Sequence, residues 1–70
     1  MEREDVASSN IESVGYDGDE QTLEVEFCSG SVYQYFEVPD DVYQALKNAD
    51  SVGRHFGRNI KGVFRCERVE

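Results

Sequence analysis

The chain has 70 residues with 15 acidic and 7 basic side chains, a formal charge of −8. That length allows one small domain, which buries only about 60% of its unfolded surface and has little room for a deep catalytic cleft. Val, Ile, Leu and Phe supply 17 residues, above the share of roughly a fifth at which chains fail to collapse, so a modest core is expected; the acidic total excludes a broadly basic nucleic-acid binder.

Residues 1–7 are polar and uncapped and read as a flexible N-terminal arm, which leaves 8–70 as a single domain. The charged start Met1-Glu2-Arg3-Glu4-Asp5 is not followed by an apolar run. Neither a signal peptide nor a membrane span is expected, and the expected location is cytoplasmic. Ile11 and Val14 suit a first strand over Asn10–Tyr16. Tyr16-Asp17-Gly18-Asp19-Glu20 is turn chemistry, with Asp-Gly its strongest signal. Thr22-Leu23-Glu24-Val25-Glu26-Phe27 alternates, setting Leu23, Val25 and Phe27 on one face and two glutamates on the other. Ser29-Gly30 then leads into a third strand, Val32–Val38, rich in β-formers.

Pro39-Asp40-Asp41 opens a helix near 40–49, because proline fits the first helical positions and the helix dipole favours carboxylates there. Val42, Ala45, Leu46 and Ala49 form its apolar stripe, and Lys47 lies near the far end, where the dipole prefers a cation. Asp50-Ser51 offers a cap for a shorter, basic helical segment near 51–60. Val52, Phe56 and Ile60 recur every fourth residue along it, and Arg54, Arg58 and then Lys61 fall on the opposite face. Gly57 offers an alternative reading as a left-handed terminator after Phe56, which would interrupt the basic stripe. Val63–Val69 alternates less clearly and suits a C-terminal edge strand. The expected fold is therefore α+β: an antiparallel three-stranded meander, a helix, a short basic helical segment and that edge strand.

The orientation of Tyr33 and Tyr35 depends on the length of the preceding turn. A two-residue turn at Ser29-Gly30 sets Phe27 opposite Val32 and Val25 opposite Gln34, so both tyrosines join Glu24 and Glu26 on an outer face able to stack bases. A three-residue turn including Ser31 sets Phe27 opposite Tyr33 and Val25 opposite Tyr35, sending both rings into the core, because a slip of one residue exchanges the faces of a strand. The first arrangement leaves Gln34 among apolar neighbours, which costs free energy unless its amide is hydrogen-bonded.

The charge is unevenly distributed. Up to Asp50 there are 13 acidic and 2 basic residues, whereas Ser51–Glu70 holds five basic residues, Arg54, Arg58, Lys61, Arg65 and Arg68, against Glu67 and Glu70. This basic end either pairs with the acidic body or remains available to a polyanion. In the second case Arg54, Arg58, Lys61 and Arg65 would meet phosphates, Arg68 would extend the patch, and Tyr33, Tyr35 and Phe64 would offer stacking faces. The rival class is a protein-interaction module that uses an exposed strand edge or the acidic face. A third reading takes the acidic excess, with only two lysines beside five arginines, as adaptation to a salty solvent.

Catalytic and metal chemistry find little support. His55 stands far from Cys28 and Cys66 in sequence, no Cys–His or Ser–His pair is marked, and Gly53-x-x-x-Gly57 lacks the Gly-Lys-Ser/Thr of a phosphate loop. The cysteines do not form a closely spaced pair, so no metal, cofactor or small-molecule substrate is expected, and an intracellular chain would keep both thiols reduced.

Val32-Tyr33-Gln34-Tyr35-Phe36, then Val38-Pro39-Asp40-Asp41-Val42-Tyr43-Gln44-Ala45-Leu46, then Ser51-Val52-Gly53-Arg54-His55-Phe56 with Asn59-Ile60-Lys61-Gly62 resembles the KTSC domain over roughly Val6–Val69. The Tyr-x-Tyr element falls on Tyr33 and Tyr35, and an upstream Ser-x-Ile…Gly-Tyr on Ser9, Ile11, Gly15 and Tyr16. That domain takes its name from the C-terminus of some lysyl-tRNA synthetases and also occurs as a stand-alone bacterial protein. The resemblance implies a small non-enzymatic module associated with RNA, tRNA in particular; the charge of −8 departs from what such a role favours.

Overall fold

The alternating segments pair into one antiparallel sheet in the computed structural model, which describes residues 1–70. Its elements are β1 (Arg3–Asp5), β2 (Ile11–Asp17), β3 (Thr22–Phe27), β4 (Val32–Tyr35), α1 (Asp40–Lys47), α2 (Val52–Asn59) and β5 (Cys66–Arg68). The strands lie side by side in chain order from β1 to β5. The α+β class and the central meander β2-β3-β4 agree with the sequence reading, but the sheet has five strands rather than three. The C-terminal edge strand is present, shortened to Cys66–Arg68, and pairs with β4.

The additional strand lies within residues 1–7, read from sequence as a flexible arm: Arg3–Asp5 pairs with Gly15, Val14 and Ser13. Local pattern misses it because what holds it comes from elsewhere in the chain. Arg3 Nη1 donates to Glu24 Oε2 at 2.8 Å, and a Cβ at Gly15 would collide with the carbonyl oxygen of Glu2. Gly15 therefore clears the path that lets β1 lie against β2.

Ile11 and Val14 lie three positions apart, an odd offset that would set them on opposite faces of a regular strand, yet both are buried in the same core. A register shift between Ile11 and Ser13 explains this: the extra residue of a bulge reverses the alternation, and Glu12 turns out to solvent.

Helices α1 and α2 cover one face of the sheet. Val14, Leu23, Val25 and Tyr35 from the strands pack with Leu46, Val52, Phe56 and Ile60 beneath them. In α1 the buried residues are Tyr43 and Leu46, whereas Ala45 of the expected stripe is exposed. In α2 the stripe Val52, Phe56, Ile60 is buried as read from sequence, and the Ser51 hydroxyl caps the helix by accepting from the Arg54 amide. Gly57 lies inside α2, so it does not end the helix, and the left-handed glycine that follows α2 is Gly62, with φ +79°.

The link from β4 to α1 is fastened to the far end of the sheet. Val38 is fully buried and its amide donates to the Gln21 carbonyl at 2.9 Å. Its own carbonyl accepts the Tyr16 hydroxyl, and the Tyr16 ring stacks on Tyr43 with centroids 4.6 Å apart. Tyr16 thus has a structural place that sequence spacing alone does not reveal.

Candidate nucleic-acid interface

The β3–β4 turn decides what the two tyrosines can do. The Phe27 amide donates to the Ser31 carbonyl and the Gly30 amide to the Phe27 carbonyl, both at 2.9 Å. The loop is therefore Cys28-Ser29-Gly30, with Gly30 at φ +97°, a three-residue hairpin in which a turn ends in a left-handed residue. Tyr33 then pairs with Val25 and Tyr35 with Leu23. Both rings lie on the helix side of the sheet, so the exposed outer stacking platform does not form. The register also differs from the three-residue alternative, because the loop begins at Cys28 instead of Ser29.

Gln34 consequently sits on the outer face, where its Nε2 donates to Glu24 Oε1 at 2.9 Å. Ser13 Oγ donates to Glu26 Oε1 at the same distance, and Arg3 bridges Glu24 and, at 3.9 Å, Glu26. The carboxylates of β3 are engaged by β1, β2 and β4, and none is taken by the basic C-terminal end.

That end has no side-chain carboxylate as a partner. The three ion pairs of the molecule, Arg3–Glu24, Arg3–Glu26 and Lys47–Glu4, involve none of Arg54, Arg58, Lys61, Arg65 or Arg68. The Arg65 guanidinium lies over the Phe36 ring at 4.7 Å, an arrangement that keeps its charge available. Arg68 Nε donates to the carbonyl oxygen of Glu70.

The structure divides the sequence-derived candidates among three places. Arg54 and Arg58 line a shallow cleft of about 230 Å3 on α2, together with His55, Asn59 and Asp50. Lys61 follows the end of α2 and so leaves the helical stripe. It joins Tyr33 and Tyr35 at a second cleft, of about 290 Å3, between β3, β4 and the segment that leads into β5. Arg65 lies apart, on Phe36.

Four rings build the second cleft. Tyr33 meets Phe27 edge to face at 5.7 Å, Phe27 meets Phe56 at 5.5 Å, and Phe56 meets Tyr35 at 5.4 Å. Tyr35 and Phe56 are 4% and 5% exposed and form its interior, whereas Phe27 and Tyr33 are half-buried and form its flank. Burial is the main reason that the Tyr35 phenol is pushed up to about 12, with the neighbouring Cys66 thiol and Tyr33 hydroxyl adding to it; Tyr35 is therefore a neutral hydroxyl at every physiological pH. Sequence reasoning missed Phe27, Phe56 and Cys66 as lining residues. The signals were there: Phe27 shares a strand face with Val25, and Phe56 lies on the face of α2 opposite the arginines.

The largest cleft, of about 900 Å3, is open and acidic, lined by Glu2, Glu4, Asp17 and Asp19 beside Tyr16 and Tyr43. It contains none of the basic candidates. Cys28 and Cys66 are free and exposed thiols; Glu12 lies beside Cys28, and burial together with that carboxylate raises the Cys28 thiol. No helix is long and apolar enough to cross a membrane.

Comparison with known proteins adds a family context. Residues 7–64 match the family model described as the KTSC domain. The chain is 52% identical over its full length to a protein of Stutzerimonas stutzeri described only as uncharacterized, and it covers the whole of that protein. It is 49% identical over 61 residues to a lysine–tRNA ligase of Nostoc punctiforme; the match takes in 87% of this chain but only 11% of the ligase. Among solved structures, a KTSC domain protein from Yersinia pestis superposes with a TM-score of 0.96 at 42% identity, covering 99% of this chain and 97% of that one.

Proposed function

The chain belongs to the KTSC domain family, and from that premise we propose that it is a small non-enzymatic binding module that contacts RNA locally through its basic C-terminal end. The observation that carries the reading is that Arg54, Arg58, Lys61 and Arg65 take no carboxylate partner, although the chain has 15 acidic side chains, while Arg68 is held by the main-chain oxygen of Glu70. Cations left solvated in an acidic protein are suited to an external anion, and phosphate is the anion whose neutralisation releases counterions and so drives binding. The occurrence of a matching segment within a protein named lysine–tRNA ligase supports RNA, and tRNA in particular, as that anion. The 13 acidic residues up to Asp50 would repel the same polymer, so the contact is confined to this end and weak.

A fluorescence-anisotropy titration with tRNA and with single-stranded oligouridylate at low salt tests the reading. Neutralising about five phosphates gives a log–log salt slope of roughly −4, and Arg54→Ala with Arg58→Ala makes it shallower, roughly −2. The absence of binding at tens of micromolar in low salt overturns it. The alternative is a protein partner that adds a strand to β5, a strand whose three residues are all exposed at the margin of the sheet. A pull-down that survives nuclease treatment favours that alternative.

A further inference from the structure

We infer that the aromatic cleft between β3, β4 and the α2–β5 segment is a pocket for one unpaired nucleobase, with Lys61 at its rim placed for the adjoining phosphate. The inference rests on the RNA reading and specifies what part of an RNA this chain grips. Three observations on the cleft support it.

The first is size. A volume of about 290 Å3 lies at the lower end of ligand pockets, which run from about 300 Å3 upward, and has room for one planar ring system. The second is charge. Each of the other clefts contains at least one carboxylate: Glu2 and Asp17 in the largest, Glu4 and Asp5 near Val52, and Asp50 beside Arg54 and Arg58 in the cleft on α2. The aromatic cleft has none, and its charged residue is Lys61. Arg68 stands directly across from Tyr33 in the β4–β5 pairing, which directs its side chain to the same side of the sheet. A ligand that enters the pocket therefore meets Lys61 and no carboxylate at its mouth, with Arg68 nearby but held by the main-chain oxygen of Glu70.

The third is polarity inside an apolar wall. Rings packed edge to face provide surface for stacking, while the Tyr33 and Tyr35 hydroxyls and the Cys66 thiol provide hydrogen-bonding groups. The Tyr35 hydroxyl and the Cys66 thiol face one another, so the group that an aliphatic or phenylalanine side chain would cover without satisfying is the Tyr33 hydroxyl, at a cost in free energy. The edge of a nucleobase presents donors and acceptors around an aromatic face and meets both demands. Because base–aromatic stacking tolerates any base, the pocket selects an unpaired base over a paired one more strongly than it selects sequence.

The test uses the full chain with Cys28→Ser, so that Cys66 is the single thiol, and follows its alkylation by iodoacetamide together with binding by anisotropy. The probes are a blunt RNA hairpin, the same hairpin with one 3′ uridine, the same hairpin with one 3′ abasic residue, and uridine 5′-monophosphate alone. The unpaired uridine is expected to tighten hairpin binding about tenfold, within the range of one base–aromatic stack, and to slow alkylation of Cys66. The abasic residue does neither. Tyr33→Leu, which keeps apolar bulk, abolishes the difference between the hairpins, whereas Lys61→Ala weakens all of them.

Equal binding of the blunt, uridine and abasic hairpins overturns the pocket while leaving the RNA reading intact. No binding of any hairpin, with millimolar uridine 5′-monophosphate still protecting Cys66, overturns the RNA reading and keeps the base pocket. Protection of Cys66 by an aromatic peptide and by no nucleotide overturns the inference in favour of a protein side chain.

Discussion

On the outer face of the sheet, each of the two β3 carboxylates has a partner from a neighbouring strand. Glu24 holds Arg3 and Gln34, and Glu26 holds Ser13 and the far edge of Arg3. At the C-terminal end, Arg54, Arg58, Lys61 and Arg65 have no carboxylate, and Arg68 reaches only the main-chain oxygen of Glu70. The contrast separates charge that assembles the fold from charge that the fold leaves unused. A net value of −8 conceals the distinction, because the negative body and the positive end are nearly independent of one another.

The comparison can be broken at several points. The largest effect is expected at Phe56, which touches Phe27 and Tyr35 from the helix side. Phe56→Ala should cost about 3–5 kcal/mol in a urea melt; a loss well under 1 kcal/mol would mean that the aromatic cleft is an appendage and not part of the common core. Gly15→Val comes next. Its side chain would meet the Glu2 backbone, expel β1 and release Arg3 from Glu24, for about 2 kcal/mol. Hydrogen exchange should show Arg3–Asp5 losing protection while β3 and β4 keep theirs.

Arg3→Met isolates the charge from the strand. The Glu24 side chain is 12% exposed and would keep only Gln34, so about 1 kcal/mol should be lost. The loss should shrink in molar KCl, because screening weakens such pairs. If instead Arg3→Met leaves stability unchanged at low salt, the outer face is not held by its charges.

Two smaller effects sharpen the picture. Tyr35 has its phenol raised from 10.0 to about 12 in the folded chain, so the unfolded chain releases this proton first as pH rises. The stabilising contribution is complete below about pH 10 and is lost between pH 10 and 12. Tyr35→Phe should flatten that part of the alkaline unfolding curve, and tyrosinate absorbance should lose the latest-titrating phenol of the parent chain while keeping the raised phenol of Tyr16. Last, Arg54→Glu with Arg58→Glu should change stability by no more than about 0.5 kcal/mol, as expected for surface positions without partners. A larger loss would show that these arginines serve the fold after all.

Much of the architecture was readable from local pattern. Alternation in Thr22–Phe27 marks β3, the four-residue spacing of Val52, Phe56 and Ile60 marks the buried face of α2, and Ser51 marks its start; the structure has all three. These succeed because period and capping are properties of neighbouring residues. The candidate site was readable as a list of residue types but not as a place. Tyr33, Tyr35 and Lys61 meet in one cleft, Arg54 and Arg58 line another, and Arg65 lies on Phe36.

The sequence by itself determined an α+β chain with an acidic body and a basic end, since length, periodicity and charge order need no knowledge of the fold. Tertiary structure decided three things that no window of sequence contains. A three-residue loop at Cys28-Ser29-Gly30 turned Tyr33 and Tyr35 inward, because one residue of register exchanges the two faces of a strand. Contacts with Glu24 and the space above Gly15 converted the expected arm into β1. The engagement of Glu24 and Glu26 by Arg3, Ser13 and Gln34 left the C-terminal cations unpaired, because an ion pair forms where the fold brings opposite charges within reach and not where the chain merely contains both.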